Sequence, residues 1–243
     1  MSGKKLFLGV RVAVPVANAL AGCAETLARR ARDAGLDVRW VAPVNYHLTL
    51  KYLGWTREET VGAVRAAVAA AVAGTPRLGF KTSRLGAFKT LEKASILWAG
   101  VSDDGGALAR LAAAVDRAAC GLGFRAEPNG FHPHVTLGRI RDPKAVREVI
   151  LPLAEQMFGD TRIDALTLFE TEQNNKENSK LGTKIVYREV CRIGFDPAEN
   201  ASISAPERQR EPVQLGASTN SLADLSSSDT DDGWPRGQGP TDS

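Results

Sequence analysis

The chain is 243 residues long, 43% of its residues are hydrophobic, and its formal net charge is +3. This combination suits one globular domain, or two small lobes, with a core that needs no disulfide or metal support. Three well-separated cysteines without a CxxC spacing disfavour a zinc site, and no run of ~18 apolar residues marks a membrane span, so we expect a cytoplasmic protein.

Strand and helix patterns alternate along residues 1–195. A helix over residues 17–34 carries an apolar stripe, and a second helix is predicted to begin at an N-cap, Thr56, with Glu59 completing a capping box. The remaining predictions are helices at 107–122 and after Asp142-Pro143, and strands at 7–15, 38–41, 46–53, 78–87, 94–101, 124–127, 134–140, 163–171 and 184–195.

The strand-plus-helix order repeats roughly twice, which predicts two pseudo-equivalent lobes, each a sheet backed by helices. The segment 196–243 is rich in Ser, Gly, Pro and Asp, lacks apolar periodicity and is expected to be a disordered acidic tail. Its nine acidic and three basic residues leave a net charge of +9 on residues 1–195. A basic body suits an anionic partner such as RNA or a phosphate ester, although it also serves as an ordinary solubilising surface.

Two similar tetrapeptides carry two of the three histidines. Residues 47–50 read His-Leu-Thr-Leu and residues 134–137 read His-Val-Thr-Leu, each within a predicted strand. Because alternate side chains of a strand share a face, each histidine faces the same way as the threonine two residues later, and the apolar residues are buried against helices. Two histidines facing one groove form a matched general acid and base near neutral pH.

The residues around these motifs suit chemistry at a phosphodiester. The hydroxyls of Thr49 and Thr136 can donate to phosphate oxygens, and the guanidinium of Arg139 matches phosphate geometry. Strict alternation places Arg139 on the face away from His134 unless a bulge at Gly138 turns it back. One histidine taking a proton from water and the other protonating the leaving sugar oxygen would hydrolyse a 2′,3′-cyclic phosphate without a metal.

Other residues near the motifs also have ordinary structural explanations. Lys51 is predicted to face with His47, where it either steers phosphate or is simply solvated. His132 is expected on a loop or rim and not to act as a catalyst. The His132-x-His134 pair could form half of a metal site, but no third ligand accompanies it. Four aromatic residues are candidates for base stacking or for core packing: Tyr46, Phe88, Trp55 and Phe131.

Both motifs and their surroundings resemble the two-histidine (2H) phosphoesterase superfamily, and within it the RNA 2′,3′-cyclic phosphodiesterases of the LigT-like, 2′-5′ RNA ligase branch. The resemblance covers about residues 5–195 and rests on the segments 39–41, 45–54, 85–88, 96–101 and 133–139. One departure from the family pattern is the longer polar stretch after Thr171, which is expected to widen one rim of the cleft.

The resemblance implies an α+β, bilobal fold with two pseudo-symmetric antiparallel sheets lining a central cleft and helices outside. By position, His47 matches the proton donor and His134 the proton acceptor, while Thr49, Thr136 and Arg139 match the residues that bind the substrate phosphate. The implied activity is hydrolysis of RNA 2′,3′-cyclic phosphate ends, tRNA fragments among them, to 2′-phosphomonoesters, with reversible ATP-independent 2′-5′ joining. We expect a monomer that needs neither metal nor cofactor.

Two other functions stay open on the sequence. The first is a related 2H phosphodiesterase that acts on 2′-5′ oligoadenylates or on a small cyclic nucleotide. The second is a module that binds RNA ends or phosphate without catalysis. The complete pair of histidine motifs speaks against the second, because binding alone needs no proton donor.

Overall fold

The computed structural model describes residues 3–173 and 185–196. Over these residues the chain forms nine strands and four α-helices. The strands are β1 Gly3–Arg11, β2 Val38–Trp40, β3 His47–Arg57, β4 Leu78–Phe88, β5 Ala94–Ser102, β6 His134–Lys144, β7 Met157–Ile163, β8 Ala165–Gln173 and β9 Ile185–Gly194. The helices are α1 Val14–Asp33, α2 Val61–Val72, α3 Ala107–Cys120 and the single turn α4 Arg147–Ile150.

The strands form one curled antiparallel sheet in the order β7-β4-β5-β6-β3-β1-β8-β9, with the short β2 paired to β6. One half consists of β3, β1, β8 and β9, and the other of β6, β5, β4 and β7. The two halves join at a single pair, Leu48 of β3 opposite Val135 of β6. The last two strands complete the first half and β4 belongs to the second, so the halves are intertwined along the chain.

The long helices cover the sheet and bury its apolar side chains. The apolar stripe of α1 is buried as its spacing predicts, at Leu20, Ala24, Leu27 and Ala31. Helix α1 contacts β7, whereas α3 contacts β3 and α2 contacts α3 and β9. The α+β architecture expected from the family resemblance is confirmed, with the two predicted sheets continuous through one pair of residues.

Two of the predicted helix starts are wrong because a strand continues through them. Thr56 lies inside β3, opposite Lys4, and its hydroxyl donates to the Gly54 carbonyl instead of capping a helix. The Asp142-Pro143 pair lies inside β6, which runs on to Lys144. In both places the pairing with a neighbouring strand outweighs a local capping signal.

One predicted strand is wrong, and one observed strand was not predicted. Residues 124–127 are irregular, because their polar backbone groups bond to side chains instead of to a strand: the Arg125 carbonyl accepts from Lys51 and the Glu127 N–H donates to Asp116. Strand β7 was missed because its sequence, MFGDTRI, carries a polar, mostly exposed pattern typical of an edge strand.

No helix in the described part of the chain is long and apolar enough to cross a membrane. The acidic tail predicted for 196–243 lies, beyond Asp196, outside the described residues.

Candidate active site

The two His-x-Thr motifs meet where the halves of the sheet join. Leu48 and Val135 are directly opposite and fully buried on the helix side. In an antiparallel pair the residues that flank such a rung point to the other face, so both histidines and both threonines of the motifs turn to the same side of the sheet. These four side chains line one cavity of about 1440 Å³. They are His47, Thr49, His134 and Thr136.

A β-bulge follows each motif at the same position. In β6, Thr136 is opposite Trp98 and Gly138 is opposite Leu97, so Leu137 is left over. This extra residue reverses the alternation, and Arg139, opposite Ile96, returns to the face of His134. Arg139 therefore lines the cavity, as the conditional prediction of a bulge at Gly138 required.

The matching bulge in β3 overturns the prediction for Lys51. Leu50 is the extra residue between the Thr49 and Lys51 pairings, so Lys51 turns away from His47. Its side chain is only 2% exposed, and its ammonium lies 2.6 Å from Asp116 of α3. Lys51 is thus neither a solvated lysine nor a cation on the histidine face. Tyr52 takes the cleft-facing position instead, opposite Phe7.

Both imidazoles are held in the same way by backbone carbonyls. Nδ1 of His47 donates to the Asn45 carbonyl at 2.6 Å, and Nδ1 of His134 donates to the His132 carbonyl at 2.7 Å. A ring that donates from Nδ1 leaves Nε2 to exchange a proton with a ligand. Each histidine is therefore oriented for general acid or base catalysis at Nε2.

Asn45 was not identified from the sequence as part of the site. It is buried at 3% exposure, in a 3₁₀ turn just before β3. Its side chain donates to the Ile185 carbonyl and accepts from the Tyr187 N–H, which fixes β9 against the first histidine. The Tyr187 ring then meets the His47 ring edge-on at 4.9 Å. These contacts join residues far apart in the chain, so no local sequence signal indicates them.

The environment of each histidine favours its neutral form. Burial, together with the positive charges of Arg11 and Arg139, lowers the pKa of His47 to about 4, although the hydrogen bond to the Asn45 carbonyl acts in the opposite direction. Burial also lowers the pKa of His134, again with a contribution from Arg139. Without a ligand, both imidazoles are therefore neutral near pH 7.

The lowered pKa of His47 predicts that the fold loses stability in acid. An unfolded chain binds this proton near pH 6.5 but the folded chain only near pH 4, so the free energy of unfolding falls as the pH drops through that window. We expect a loss on the order of 1–3 kcal/mol from this histidine. Urea unfolding of the wild type and of His47→Gln at pH 7 and 4.5 measures it. The variant should lose less stability than the wild type, and an equal loss would contradict the assignment.

The other candidate residues from the sequence lie in different surroundings. His132 lies on the irregular segment before β6, where its Nε2 bonds to the Asn129 carbonyl, as expected for a rim residue. Tyr46 is a core residue at 2% exposure. Phe88 packs edge-on against His134 at 4.7 Å. Phe131 lines the cavity, and Trp55 lines it while 63% exposed. Within residues 3–173 and 185–196, no group of three or more His, Cys, Asp or Glu side chains is arranged to hold a metal ion.

Comparison with known proteins finds a family whose sequence profile matches this chain. The sequence profile of the 2′-5′ RNA ligase superfamily matches residues 19–175. The RNA 2′,3′-cyclic phosphodiesterase of Aeropyrum pernix is 29% identical over 141 residues, which is 56% of this chain and 78% of that protein. The RNA 2′,3′-cyclic phosphodiesterase of Thermotoga maritima is 26% identical over 165 residues, or 66% of this chain and 87% of that protein.

Solved structures share the fold. TT0787 of Thermus thermophilus superimposes with a TM-score of 0.63 at 21% identity, covering 79% of this chain and 97% of that one. LigT of E. coli in complex with 3′-AMP gives a TM-score of 0.58 at 20% identity, covering 80% of this chain and 99% of that one.

Proposed function

This chain belongs to the 2′-5′ RNA ligase superfamily, and we propose that it hydrolyses RNA 2′,3′-cyclic phosphate ends to 2′-phosphomonoesters. The observation that carries the proposal is the convergence of His47 and His134, each held through Nδ1, on one cavity with two threonines and Arg139. The names of the similar proteins from Aeropyrum pernix and Thermotoga maritima support the same activity.

The proposed reaction is an in-line displacement at phosphorus. A water molecule attacks the phosphorus opposite the 3′ oxygen, and Nε2 of His134 takes its proton. The bond from phosphorus to the 3′ oxygen breaks, and Nε2 of His47 gives that oxygen its proton. The product carries a 2′-phosphate and a free 3′-hydroxyl. Thr49, Thr136 and Arg139 bind the phosphate oxygens on which negative charge develops.

The donor must be protonated when the substrate is bound, although His47 is neutral in the free protein. The phosphodiester is an anion, and it pairs with Arg139, one of the charges that lower the pKa of this histidine. Binding therefore removes part of that repulsion and adds attraction for the imidazolium. The substrate itself raises the pKa of the proton donor.

Joining of two RNA ends would break the same bond with a different nucleophile. When the 5′-hydroxyl of a second RNA replaces water as the nucleophile, attack on the cyclic phosphate again breaks the bond to the 3′ oxygen and leaves a 2′-5′ linkage. The superfamily's name supports this reaction, and a cavity of about 1440 Å³ has room for more than one nucleotide.

The test is an assay of the full chain on a single-stranded oligonucleotide that ends in a 2′,3′-cyclic phosphate. We expect a 2′-phosphate product, identified by its resistance to an enzyme that removes only 3′-phosphates, and a rate that EDTA leaves unchanged. A 2′-5′ oligoadenylate and a 3′,5′-cyclic nucleotide run in parallel and should react far more slowly. A 3′-phosphate product, a requirement for a divalent ion, or faster cleavage of either comparison substrate would overturn the proposal.

A further inference from the structure

A second bulge in β3 extends the cleft-facing row of side chains beyond the active site. Leu6 is opposite Gly54 and Phe7 is opposite Tyr52, so Leu53 is the extra residue. The alternation reverses again, and Trp55, opposite Lys5, joins the cleft face. The side chains of β3 on this face are His47, Thr49, Tyr52 and Trp55.

Trp55 is exposed in a way that core packing does not explain. Its side chain is 63% exposed, and no other Trp, Tyr or Phe in the described part of the chain is among the large exposed hydrophobic residues. One side of the indole lies against Gly3, where a Cβ would come within 2.6 Å of Nε1. A glycine backbone thus supports the ring without a side chain beside it. Trp55 lines the same cavity as both histidines.

The position of Trp55 places it several nucleotides from the reacting phosphate. Arg11 is opposite His47 and Lys5 is opposite Trp55, so six residues of β1 separate the two rungs, or about 20 Å. A single nucleotide in the active site does not span that length. The cyclic phosphate ends the RNA at its 3′ side, so whatever lies further along the cleft belongs to the 5′ side of the same strand.

Both acidic and basic side chains lie near Trp55, and the residue opposite it on β1, Lys5, is a cation. Lys5 lines the cavity beside the indole. Lys4 is paired with Glu58 at 2.9 Å and lies 3.8 Å from Glu170, so its charge is largely balanced. An exposed aromatic ring beside a lysine is the usual arrangement for binding single-stranded nucleic acid, with the ring stacking a base and the cation near the backbone.

We infer that Trp55 is a remote nucleobase-stacking site that makes this protein prefer longer single-stranded RNA ends over short ones. The inference rests on the proposed function, and it adds to it the recognition of RNA on the 5′ side of the cyclic phosphate. Tyr52 lies between the two sites on the same face and continues the row of rings toward the histidines.

The test compares an octanucleotide with a dinucleotide that share the same 3′-terminal residues. Fluorescence anisotropy of 5′-labelled RNAs that end in a 2′-phosphate gives a Kd without any turnover. The wild type should bind the octanucleotide more tightly, and Trp55→Ala should weaken that binding ~5- to 20-fold while leaving the dinucleotide unchanged. Trp55→Phe keeps a ring and should recover most of the affinity.

Met157→Ala serves as the matched control, because Met157 is 67% exposed but lies on β7 outside the cavity lining. It should change neither Kd. Equal binding of both RNAs by the wild type, or an equal loss on both RNAs in Trp55→Ala, would overturn the inference. Hydrolysis of the cyclic-phosphate forms is measured separately, so a protein that binds by length but does not hydrolyse would contradict only the proposed function.

Discussion

Replacing His47 or His134 by Gln is expected to lower kcat on a cyclic-phosphate oligonucleotide by about 10²–10⁴-fold, which is the usual contribution of one general acid or base. Glutamine keeps much of the volume and a hydrogen-bonding end, but it does not transfer a proton. Because the two imidazoles act in one step, the double variant should be little worse than either single variant. Initial rates at saturating substrate give kcat for all three variants.

His132→Gln is the matched control for these variants. His132 lines the same cavity, and its backbone carbonyl, which accepts the hydrogen bond from His134, is kept in the variant. Its kcat should stay close to that of the wild type. Comparable losses in all three single variants would show that any change near this rim disturbs catalysis, and would remove the support for the two proposed roles.

The same variants separate the acid from the base. His134→Gln keeps only the proton donor, so its residual rate should fall as rising pH takes the proton from His47. His47→Gln keeps only the base, so its residual rate should rise with pH as His134 loses its proton and then level off. The opposite result would exchange the two roles.

Asp116→Ala is expected to destabilise the fold by about 3–5 kcal/mol, because it leaves the ammonium of Lys51 buried without its counter-charge. Lys51 is 2% exposed and Asp116 is 26% exposed. Partial burial opposes ionisation of Asp116, but the hydrogen bond and the charge of Lys51 outweigh it and lower the pKa of this carboxyl. Urea unfolding followed by tryptophan fluorescence measures the loss.

Two further variants identify the cause of this loss. Lys51→Met combined with Asp116→Leu removes both charges and should recover part of the stability, since an apolar pair of similar size often replaces a buried ion pair without cost. The recovery is partial because the Arg125 carbonyl and the Glu127 N–H lose these hydrogen-bond partners. Glu155→Ala breaks an exposed ion pair with Arg84 and should change stability little. The Glu155 side chain is 79% exposed and the Arg84 side chain 72%. A double variant as unstable as Asp116→Ala would rule out the unpaired charge as the cause.

The Lys51–Asp116 ion pair also binds backbone groups of a segment next to the active site. Lys51 donates to the Arg125 carbonyl and Asp116 accepts from the Glu127 N–H, so the pair fixes the irregular segment that leads to His134. The sequence predicted a strand there. It contains no signal that a lysine from β3 and an aspartate from α3 would take over the hydrogen bonds of this backbone.

Local pattern alone determined much of this protein. The apolar stripe of α1 follows a helical period, and the alternation within His47–Leu50 and His134–Leu137 identified which side chains face together. These features depend on a few neighbouring residues, so they can be read without knowing the partner strands. The family resemblance rests on the same short segments.

The tertiary structure decided which residues complete the cleft. Arg139 joins the face of the histidines and Lys51 leaves it because of the bulges at Leu137 and Leu50, and the second bulge of β3, at Leu53, returns Trp55 to that face. A bulge is a mismatch between two strands, so its position depends on how β3 fits β1 and how β6 fits β5. Alternation along one strand contains no information about that fit, and this is why sequence reasoning located the histidines but misplaced the lysine beside them.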